Sequence, residues 1–353
     1  MSEKVQQTET GNALQRFLKR KNIIFSAKRY GIDALGAMAQ GLFASLLIGT
    51  IIGTLGEQIG SQVLVDAGGF AKSVAGPAMA ISIGYALQAP QLVLFSLLAV
   101  GAAANSLGGA GGPLAVLIVA IVAAECGKAV SKETKIDILV TPLVTILSGV
   151  LLSMWCAPTI GAAASAVGSL IMWATELQPF FMGILVSVIV GVALTLPISS
   201  AAICAALNLT GLAGGAAVAG CCAQMVGFAV LSFCENKWGG LLAQGLGTSM
   251  LQMGNIVRNP KIWIPPTLAS MVTGPLSTMV FHLENIPAGS GMGTCGLVGP
   301  IGIYTAMQGS GNSMMWPGIL LICFVLPAVL TLFFGALCRK AGWIKEGDLK
   351  LDL

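Results

Sequence analysis

Long apolar stretches separated by short polar connections dominate the chain. Three of them contain no Asp, Glu, Lys or Arg, and they cover residues 73–124, 177–234 and 285–338. A membrane-spanning helix needs about 20 apolar residues, so each stretch is long enough for two or more spans. The pattern therefore predicts an all-α polytopic membrane protein.

The apolar segments differ in length. Two of them, 113–127 and 198–209, are too short to cross a bilayer alone and favour half-helices or re-entrant hairpins. We therefore expect about ten transmembrane helices plus re-entrant hairpins. The apolar segments cover residues 34–55, 70–88, 91–107, 113–127, 136–157, 160–175, 180–195, 198–209, 211–233, 238–255, 264–281, 287–307 and 316–338.

Composition and charge agree with a membrane protein. Charged residues make up 9% of the chain and apolar residues 56%, whereas a soluble domain carries about 25% charged residues. The net charge of +4 does not indicate a nucleic-acid partner, because the basic residues concentrate at the two ends and in short loops. By the positive-inside rule we expect both termini in the cytoplasm, which requires an even number of spans.

Polar segments bound the membrane domain at both ends. Residues 1–30 predict a cytoplasmic basic amphipathic segment, in which Phe17 and Phe25 lie among lysines and arginines. Such a segment lies on the membrane surface, and a solvated tail is the alternative. The transmembrane domain is expected at 31–340 and a cytoplasmic tail at 341–353.

An internal repeat is a further pattern. Lys-Ile-Asp-Ile at 135–138 recurs as Lys-Ile-Trp-Ile at 261–264, and weaker matches lie upstream at a similar offset. We expect two pseudo-repeats, 40–177 and 178–308, followed by a closing helix at 316–338. Both matched loops are basic, which favours parallel repeats with both loops in the cytoplasm. Transporters often bind solute between such repeats, and a duplicated channel or a structural membrane protein is the alternative.

A polar segment at 282–296 contains Glu284, after which no Asp, Glu, Lys or Arg occurs until Arg339. An ionisable group at membrane depth is costly and is therefore a candidate functional residue. A carboxylate accepts paired hydrogen bonds from neighbouring hydroxyls, so Glu284 suits a polyol or a sugar. The alternative is a buried helix end at which Glu284 bonds local backbone amides. The other candidate substrate-binding residues of this segment are His282, Asn285, Gly289, Ser290 and Thr294.

Two further candidate substrate-binding residues lie in otherwise apolar sequence. Asn105 begins a glycine-rich run at 105–113, which favours a re-entrant turn or cavity wall over an external loop. Gln224 lies in the second charge-free stretch, where an amide either lines a pathway or joins helices. The nine cysteines lack metal-ligand spacing and the chain has one histidine, so we expect no metal site and no cofactor.

Five sequence blocks are distinctive enough to compare with a known family. They lie at 108–113, 141–145, 221–228, 238–250 and 287–294. Together they resemble the PfoR-like branch of EIIC membrane proteins, and the resemblance covers about residues 30–340. This branch is grouped with the IIC permease component of the bacterial phosphoenolpyruvate-dependent sugar phosphotransferase system.

The resemblance implies a homodimeric, multi-pass permease of the bacterial inner membrane for a small polar, sugar-like solute. Sugar IIC components bind sugar near a glutamate and a histidine beside re-entrant hairpins. Glu284 can take the glutamate role, and His282 is the candidate histidine, although the two are separated by one residue rather than placed on different elements. No catalytic residue of the chain itself is evident, so phosphotransferase activity requires separate IIA and IIB proteins.

Two other functions remain open at this point. PfoR-like members are also described as regulators, so the chain could be a membrane-embedded sensor that retains a vestigial EIIC site. A non-phosphorylating carrier of another metabolite is the second alternative. The sequence offers no DNA-binding module, which weakens direct gene regulation.

Overall fold

A computed structural model describes residues 13–309 and 312–351. Every regular element among these residues is a helix, apart from one isolated bridge between Gly211 and Asn285. The predicted all-α fold class is confirmed. The helices are α1 Ala13–Arg20, α2 Arg29–Ile59, α3 Gln62–Ser73, α4 Ala75–Ala86, α5 Gln91–Gly108, α6 Gly112–Val130, α7 Asp137–Thr175, α8 Pro179–Thr195, α9 Ser200–Ala206, α10 Gly211–Leu231, α11 Phe233–Leu242, α12 Met253–Arg258, α13 Ile264–Met279, α14 Pro287–Ser290, α15 Val298–Met307 and α16 Met315–Lys340.

One face of the molecule, which we call the basic face, collects the loops richest in lysine and arginine. Lys128 Nζ donates to the carbonyls of Asn22 and Leu87 at 2.7 and 3.1 Å, which joins the N-terminal segment to the ends of α4 and α6. Asn255 Nδ2 donates to the carbonyl of Lys350 at 2.8 Å, which joins α12 to the C-terminal segment. One cavity is lined both by the end of α4 and by α12 with the C-terminal segment, so these two groups of loops share the basic face.

The opposite surface, which we call the far face, holds the other helix ends. Thr278 Oγ1 donates to the carbonyl of Pro179 at 2.9 Å, so the end of α13 lies beside the start of α8. Asn312 Nδ2 donates to the carbonyl of Phe281 at 3.2 Å, which brings the start of α16 to the same place. The bridge between Gly211 and Asn285 adds the start of α10.

Helices cross between the two faces six times within the described residues: α2, the kinked pair α3–α4, α7, α10, α13 and α16. Five continuous helices are long and apolar enough to span a membrane by length and composition. The stretch Gln91–Val130 is among those five, but it turns back at its middle rather than crossing. The expected ten transmembrane helices are therefore not confirmed.

Four helical hairpins enter the molecule and return to the face from which they came. Hairpin I, α5–α6, enters from the basic face and reverses at Gly109, whose φ is 50°. A Cβ on Gly127 would lie 2.8 Å from Val93, which is impossible in a straight helix, because about 34 residues would separate them by about 50 Å. Hairpin II is α8–α9 from the far face, hairpin III covers 233–258 from the basic face, and hairpin IV covers 287–307 from the far face.

The order of hairpins and spans occurs twice along the chain. Hairpin I, α7, hairpin II and α10 are followed by hairpin III, α13, hairpin IV and α16. In this order Lys135 and Lys261 both follow a hairpin from the basic face and precede a span. The upstream matches fit less well, because 99–105 and 217–224 lie on helices that run in opposite directions. Parallel repeats bounded at 40–177 and 178–308 stay a prediction, and the observed order divides near residue 232 instead.

Small residues explain why the spans pack so closely. Gly191 on α8 and Gly220 on α10 approach so that a Cβ on Gly191 would lie 2.7 Å from the Gly220 carbonyl oxygen. A Cβ on Gly183 of α8 would likewise lie 2.9 Å from Pro275 Cα of α13. In lipid, where apolar helices gain little by leaving the solvent, such close backbone contact supplies the packing energy. The result is a three-helix centre of α8, α10 and α13 around which the hairpins are arranged.

Candidate functional site

The tips of the four hairpins meet in the interior, and we call this region the hairpin-tip junction. Ser199 N of hairpin II donates to the carbonyl of Ala110 of hairpin I at 2.8 Å. Ser200 Oγ of hairpin II donates to the carbonyl of Gly291 of hairpin IV, also at 2.8 Å. Non-helical backbone is tolerated at membrane depth only where protein or water satisfies its polar groups, and the tips satisfy one another here.

Two more hydrogen bonds close the junction. Thr195 Oγ1 at the end of α8 lies 2.8 Å from Ser249 Oγ of hairpin III. Thr294 Oγ1 of hairpin IV donates to the carbonyl of Gly245 of hairpin III at 2.5 Å. Thr195, Ser249 and Thr294 are fully buried, with 0% of each residue exposed. A solute with hydroxyl or amide groups could exchange with these bonds without leaving a polar atom unpaired.

Gln224 links the junction to the wall of spans. Its Oε1 accepts a 2.9 Å hydrogen bond from Trp263 Nε1, and its Nε2 donates to Thr267 Oγ1 at 3.2 Å. Thr195 Oγ1 lies 3.5 Å from Gln224 Oε1. Of the two roles left open for this amide, the observed bonds are those of a residue that joins α10 to α13.

The predicted site residues of hairpin IV divide into buried and exposed groups. Ser290 Oγ donates to the carbonyls of Leu209 and Ile286, both at 2.9 Å. Asn285 is buried, with Oδ1 accepting from Ile286 N at 2.8 Å. Gly289 is buried against it, since a Cβ there would lie 2.5 Å from Asn285 Oδ1. These residues stabilise the base of hairpin IV. Of the predicted site residues in this segment, only Thr294 lies at the junction.

Glu284 and His282 lie at the far face with exposed side chains. The segment from 281 to 285 is irregular: His282 has a left-handed backbone with a φ of 46°, and Asn285 forms the bridge with Gly211. Phe281, Leu283 and Asn285 are buried in this segment, and the two ionisable residues are exposed. This differs from the interior position expected for Glu284. A role for the two residues in solute binding stays a prediction.

Asn105 lies near the tip of hairpin I and is half-buried. A Cβ on Gly112 would lie 2.5 Å from Asn105 Oδ1, so the amide packs against the returning arm of its own hairpin. Asn105 is therefore near the junction but does not take part in the four links that join the tips.

A path from the basic face leads toward the junction along α2. A cavity of about 300 Å³ opens beside Asp33, Gln40 and Arg258. A second cavity of about 190 Å³ shares Gln40 and Leu251 with the first and is also lined by Phe43. The path ends where the Phe43 ring lies against Gly247 of hairpin III, leaving no room for a Cβ there.

The constriction coincides with an irregularity of α2. Residues Phe43–Leu47 form a π-helical turn, and such turns occur often at functional sites. Beyond the constriction, an apolar pocket of about 260 Å³ lies between α2 and the tips of hairpins III and IV. Ile51 of α2 and Gly296 of hairpin IV both line it.

Several junction residues were missed by the sequence analysis. Thr195, Trp263 and Thr267 lie in apolar or loop sequence where a single hydroxyl or indole carries no positional signal. The partners of Thr195 and Gln224 are 54 and 39 residues away along the chain. Among the described residues, no group of three or more His, Cys, Asp and Glu side chains is placed to hold a metal ion.

These features define the class of protein. Apolar spans joined by inward-facing re-entrant hairpins, with broken helices meeting in the interior, are typical of membrane transporters. The family model for the phosphotransferase system, EIIC, matches residues 32–351. The chain therefore belongs to the EIIC family and is a permease component of the phosphotransferase system in the membrane. A comparison with curated proteins found no match.

Proposed function

We propose that the chain binds and translocates a small, hydroxylated, sugar-like solute at the hairpin-tip junction. The observation that carries this proposal is the set of hydroxyl links by which hairpins II, III and IV meet in the interior, through Thr195, Ser249, Ser200 and Thr294. Hydroxyl and carbonyl groups in such links match the donors and acceptors of a polyol. The family supplies the general setting of separate IIA and IIB proteins.

The basic face is, in this proposal, the cytoplasmic face. Its lysines and arginines fit the positive-inside rule, and the cavity beside Asp33 and Gln40 then opens toward the cytoplasm. Solute would leave the junction past Phe43 and Gly247 into that cavity, where a cytoplasmic IIB protein could phosphorylate it. Movement of hairpin III away from α2 would open the constriction.

Glu284 and His282 serve, in the same proposal, as an outer contact for the solute. Both are exposed at the far face on the irregular segment that leads into hairpin IV. A carboxylate bonded to solute hydroxyls contributes about 1.5–3 kcal/mol, or about tenfold to a hundredfold in affinity. The outer contact would capture solute before it reaches the hydroxyls of the junction.

Uptake into proteoliposomes containing purified protein, with a panel of radiolabelled sugars and polyols, tests the function. For the solute that is taken up, Ser249→Ala should weaken binding measured by calorimetry about two- to tenfold, because one neutral hydrogen bond is lost. Ser165→Ala is the matched control, since Ser165 is exposed on α7 and bonds only its own helix at Gly161. Glu284→Gln tests the outer contact, with the exposed Glu57→Gln as its control.

The outcomes separate the competing functions. Uptake of a sugar or polyol that falls in Ser249→Ala, with thermal stability unchanged, supports the proposal. Binding without uptake, with and without IIA and IIB, would favour the sensor function. Equal effects of Ser249→Ala and Ser165→Ala would remove the junction as the solute site. Unchanged affinity in Glu284→Gln would remove the outer contact.

A further inference from the structure

A separate pocket, which we call the basic pocket, lies away from the junction at the basic face. It encloses about 430 Å³ where the α1–α2, α4–α5 and α6–α7 loops meet. Arg20, Lys21, Lys128 and Lys132 line it, against a single acidic residue, Glu133. Lys128 is paired with Glu125, so the surplus comes from Arg20, Lys21 and Lys132 against Glu133. This surplus of positive charge suits an anionic ligand.

The wall of the basic pocket is built around Lys128. Its side chain is 1% exposed and its Nζ pairs with Glu125 at 2.9 Å. The same ammonium donates to the carbonyls of Asn22 and Leu87, so it holds two of the three loops in place. A buried charge persists only when it is paired and hydrogen-bonded. The ion pair and the two hydrogen bonds of Lys128 therefore hold the wall of the pocket in one arrangement.

Backbone strain is concentrated in the same three loops. Asn22, Gln88 and Lys132 have φ values of 55°, 55° and 61°, in the left-handed region that favours glycine. All three residues line the basic pocket, one from each loop. Strained non-glycine residues persist where the surroundings over-determine them, and they cluster at ligand clamps and other functional sites.

Glu133 neutralises part of the positive charge of the basic pocket in this structure. Its Oε1 accepts a 2.8 Å hydrogen bond from Arg20, and it also pairs with Lys21. The bond from Lys21 is the main reason that the pKa of Glu133 lies below its usual value. An ionised Glu133 therefore competes with any anion for Arg20 and Lys21, while Lys132 lies across the pocket.

The surroundings of the basic pocket are those of a membrane interface. The pocket lies at the ends of hairpin I, α2 and α4, where apolar helices emerge from the membrane. Leu14, Ile24 and Phe25 are 66%, 52% and 74% exposed on the adjoining chain. Apolar side chains among lysines and arginines are typical of a segment that inserts at the boundary of headgroups and acyl chains. A freely diffusing anion would gain nothing from this apolar border.

We propose that the basic pocket binds the phosphate headgroup of an anionic phospholipid. The headgroup phosphate contacts Arg20 and Lys132, and the acyl chains lie beside Ile24 and Phe25. Basic pockets between membrane helices on the cytoplasmic side bind anionic headgroups in this way. Bound lipid then ties the N-terminal segment to hairpin I, in addition to the bond between Arg20 and Glu133.

Native mass spectrometry and thermal unfolding of the full-length protein, titrated with phosphatidylglycerol or phosphatidylcholine, test the proposal. Phosphatidylglycerol should bind more tightly and raise the melting temperature more. The double variant Arg20→Gln/Lys132→Gln should weaken phosphatidylglycerol binding about 25-fold, since each basic residue near the surface contributes about fivefold. Lys135→Gln is the matched control, because Lys135 is an exposed lysine of the same loop that does not line the pocket.

A gain-of-binding variant keeps the test independent of folding. Glu133→Gln removes the competing carboxylate, so it should strengthen phosphatidylglycerol binding. Equal binding of the two lipids, equal losses in the double variant and in Lys135→Gln, or weaker binding in Glu133→Gln would overturn the proposal. Full displacement of the lipid by inorganic phosphate alone would overturn the assignment to a lipid. Loss of binding to a soluble IIB protein in the double variant, with lipid binding unchanged, would assign the pocket to a protein partner instead.

Discussion

Hairpins I and III both enter from the basic face, but they are built in opposite ways. Hairpin I consists of two long helices, and glycines bring it close to its neighbours: a Cβ on Gly101 would lie 2.6 Å from the Ala80 Cβ. Hairpin III consists of short helices joined by a π-helical turn at Ala243–Gly247 and a 3-10 turn at Ser249–Gln252. Its interior contains a chain of buried amides, formed by Gln244, Gln252 and Asn255, beside apolar side chains.

The amide chain of hairpin III connects it to the C-terminal segment. Gln252 Nε2 donates to Gln244 Oε1 and to the carbonyl of Leu349, both at 3.0 Å. Asn255 Nδ2 donates to Gln252 Oε1 at 2.8 Å. Hydrogen bonds of this kind can exchange for bonds to water or solute, whereas close glycine contacts have no alternative arrangement. The comparison therefore indicates that hairpin I is scaffold and that hairpin III is the element able to move.

The largest expected effect concerns the side from which the two hairpins enter. Lys135 follows hairpin I, Lys261 follows hairpin III, and both are exposed at the basic face. In a variant lacking the exposed Cys234 thiol, Lys135→Cys and Lys261→Cys should both resist an impermeant thiol reagent added outside whole cells. Glu176→Cys, between α7 and α8 at the far face, should be labelled.

Labelling is close to all-or-none, so the result is decisive. External labelling of only one of the two lysine positions would mean that the hairpins enter from opposite sides of the membrane. Hairpins I and III would then not be equivalent elements. Labelling of both would place the basic face outside and reverse the proposed direction of transport.

The next effect probes the amide chain of hairpin III. Gln252→Leu removes three hydrogen bonds and leaves the buried Oε1 of Gln244 without its partner, which costs about 1–3 kcal/mol. The Leu349 carbonyl and Asn255 Nδ2 keep their bonds to Asn236 and Lys350. We expect a lower melting temperature and faster hydrogen exchange in the C-terminal segment. Gln91→Leu is the control, since Gln91 is exposed at the start of hairpin I. Equal stability of the two variants would show that the amide chain does not hold hairpin III in place.

The sequence was sufficient for the class of fold but not for the depth of individual residues. Hydropathy identifies apolar helices, because a bilayer requires about 20 apolar residues per span. It does not distinguish a span from two arms of a hairpin, as the 40-residue apolar stretch Gln91–Val130 shows. Glu284 illustrates the same limit, because its place at the start of a charge-free stretch does not say that its side chain is exposed at the far face.

The candidate site was predictable only where its residues are close in sequence. Thr294 follows a run of glycines that marks an irregular segment, so its polar role had a local signal. Thr195 and Ser249 are brought together from 54 residues apart by the meeting of two hairpins. Such pairs depend on packing between hairpins, which no local pattern of residues encodes.

A smaller effect tests the scaffold role of hairpin I against hairpin III. Gly101→Ala should destabilise the protein by about 1–3 kcal/mol, since overpacking forces the backbones apart. Gly254→Ala on α12 should be neutral or stabilising by about 0.5–1 kcal/mol, because alanine favours helix. A Cβ on Gly254 would lie 3.6 Å from its nearest neighbour, which is ordinary contact. Both melting temperatures are measured in one detergent. A shift of both variants in the same direction would contradict the comparison between hairpins I and III.

The smallest effect concerns pH and the tethers of the two hairpins. Glu133, beside hairpin I, holds α1 through Arg20 and Lys21, and the bond from Lys21 lowers the pKa of Glu133 from its usual 4.5. A carboxyl whose pKa is lower in the folded state stabilises that state above its unfolded pKa, and the contribution is lost as the pH falls through the folded value. The tether on hairpin III includes the amide side chains of Gln252 and Asn255, which do not titrate, beside the carboxylate of Glu235, which accepts from Leu349 N at 3.0 Å.

We therefore expect α1 to loosen from hairpin I only in acid, below about pH 4.5, while it stays attached at neutral pH. The anisotropy of a dye on Leu14→Cys, in a background lacking the other exposed thiol, reports this change. Glu133→Gln should give an anisotropy that does not change as the pH falls, because its amide does not titrate. A dye on Lys345→Cys, in the C-terminal segment that bonds hairpin III, is the control and should report a smaller transition, because the amide bonds of Gln252 and Asn255 persist in acid. If the dye on α1 loosened equally in Glu133→Gln and in the parent protein as the pH fell, another group would hold α1, and the charged tether would not distinguish hairpin I from hairpin III.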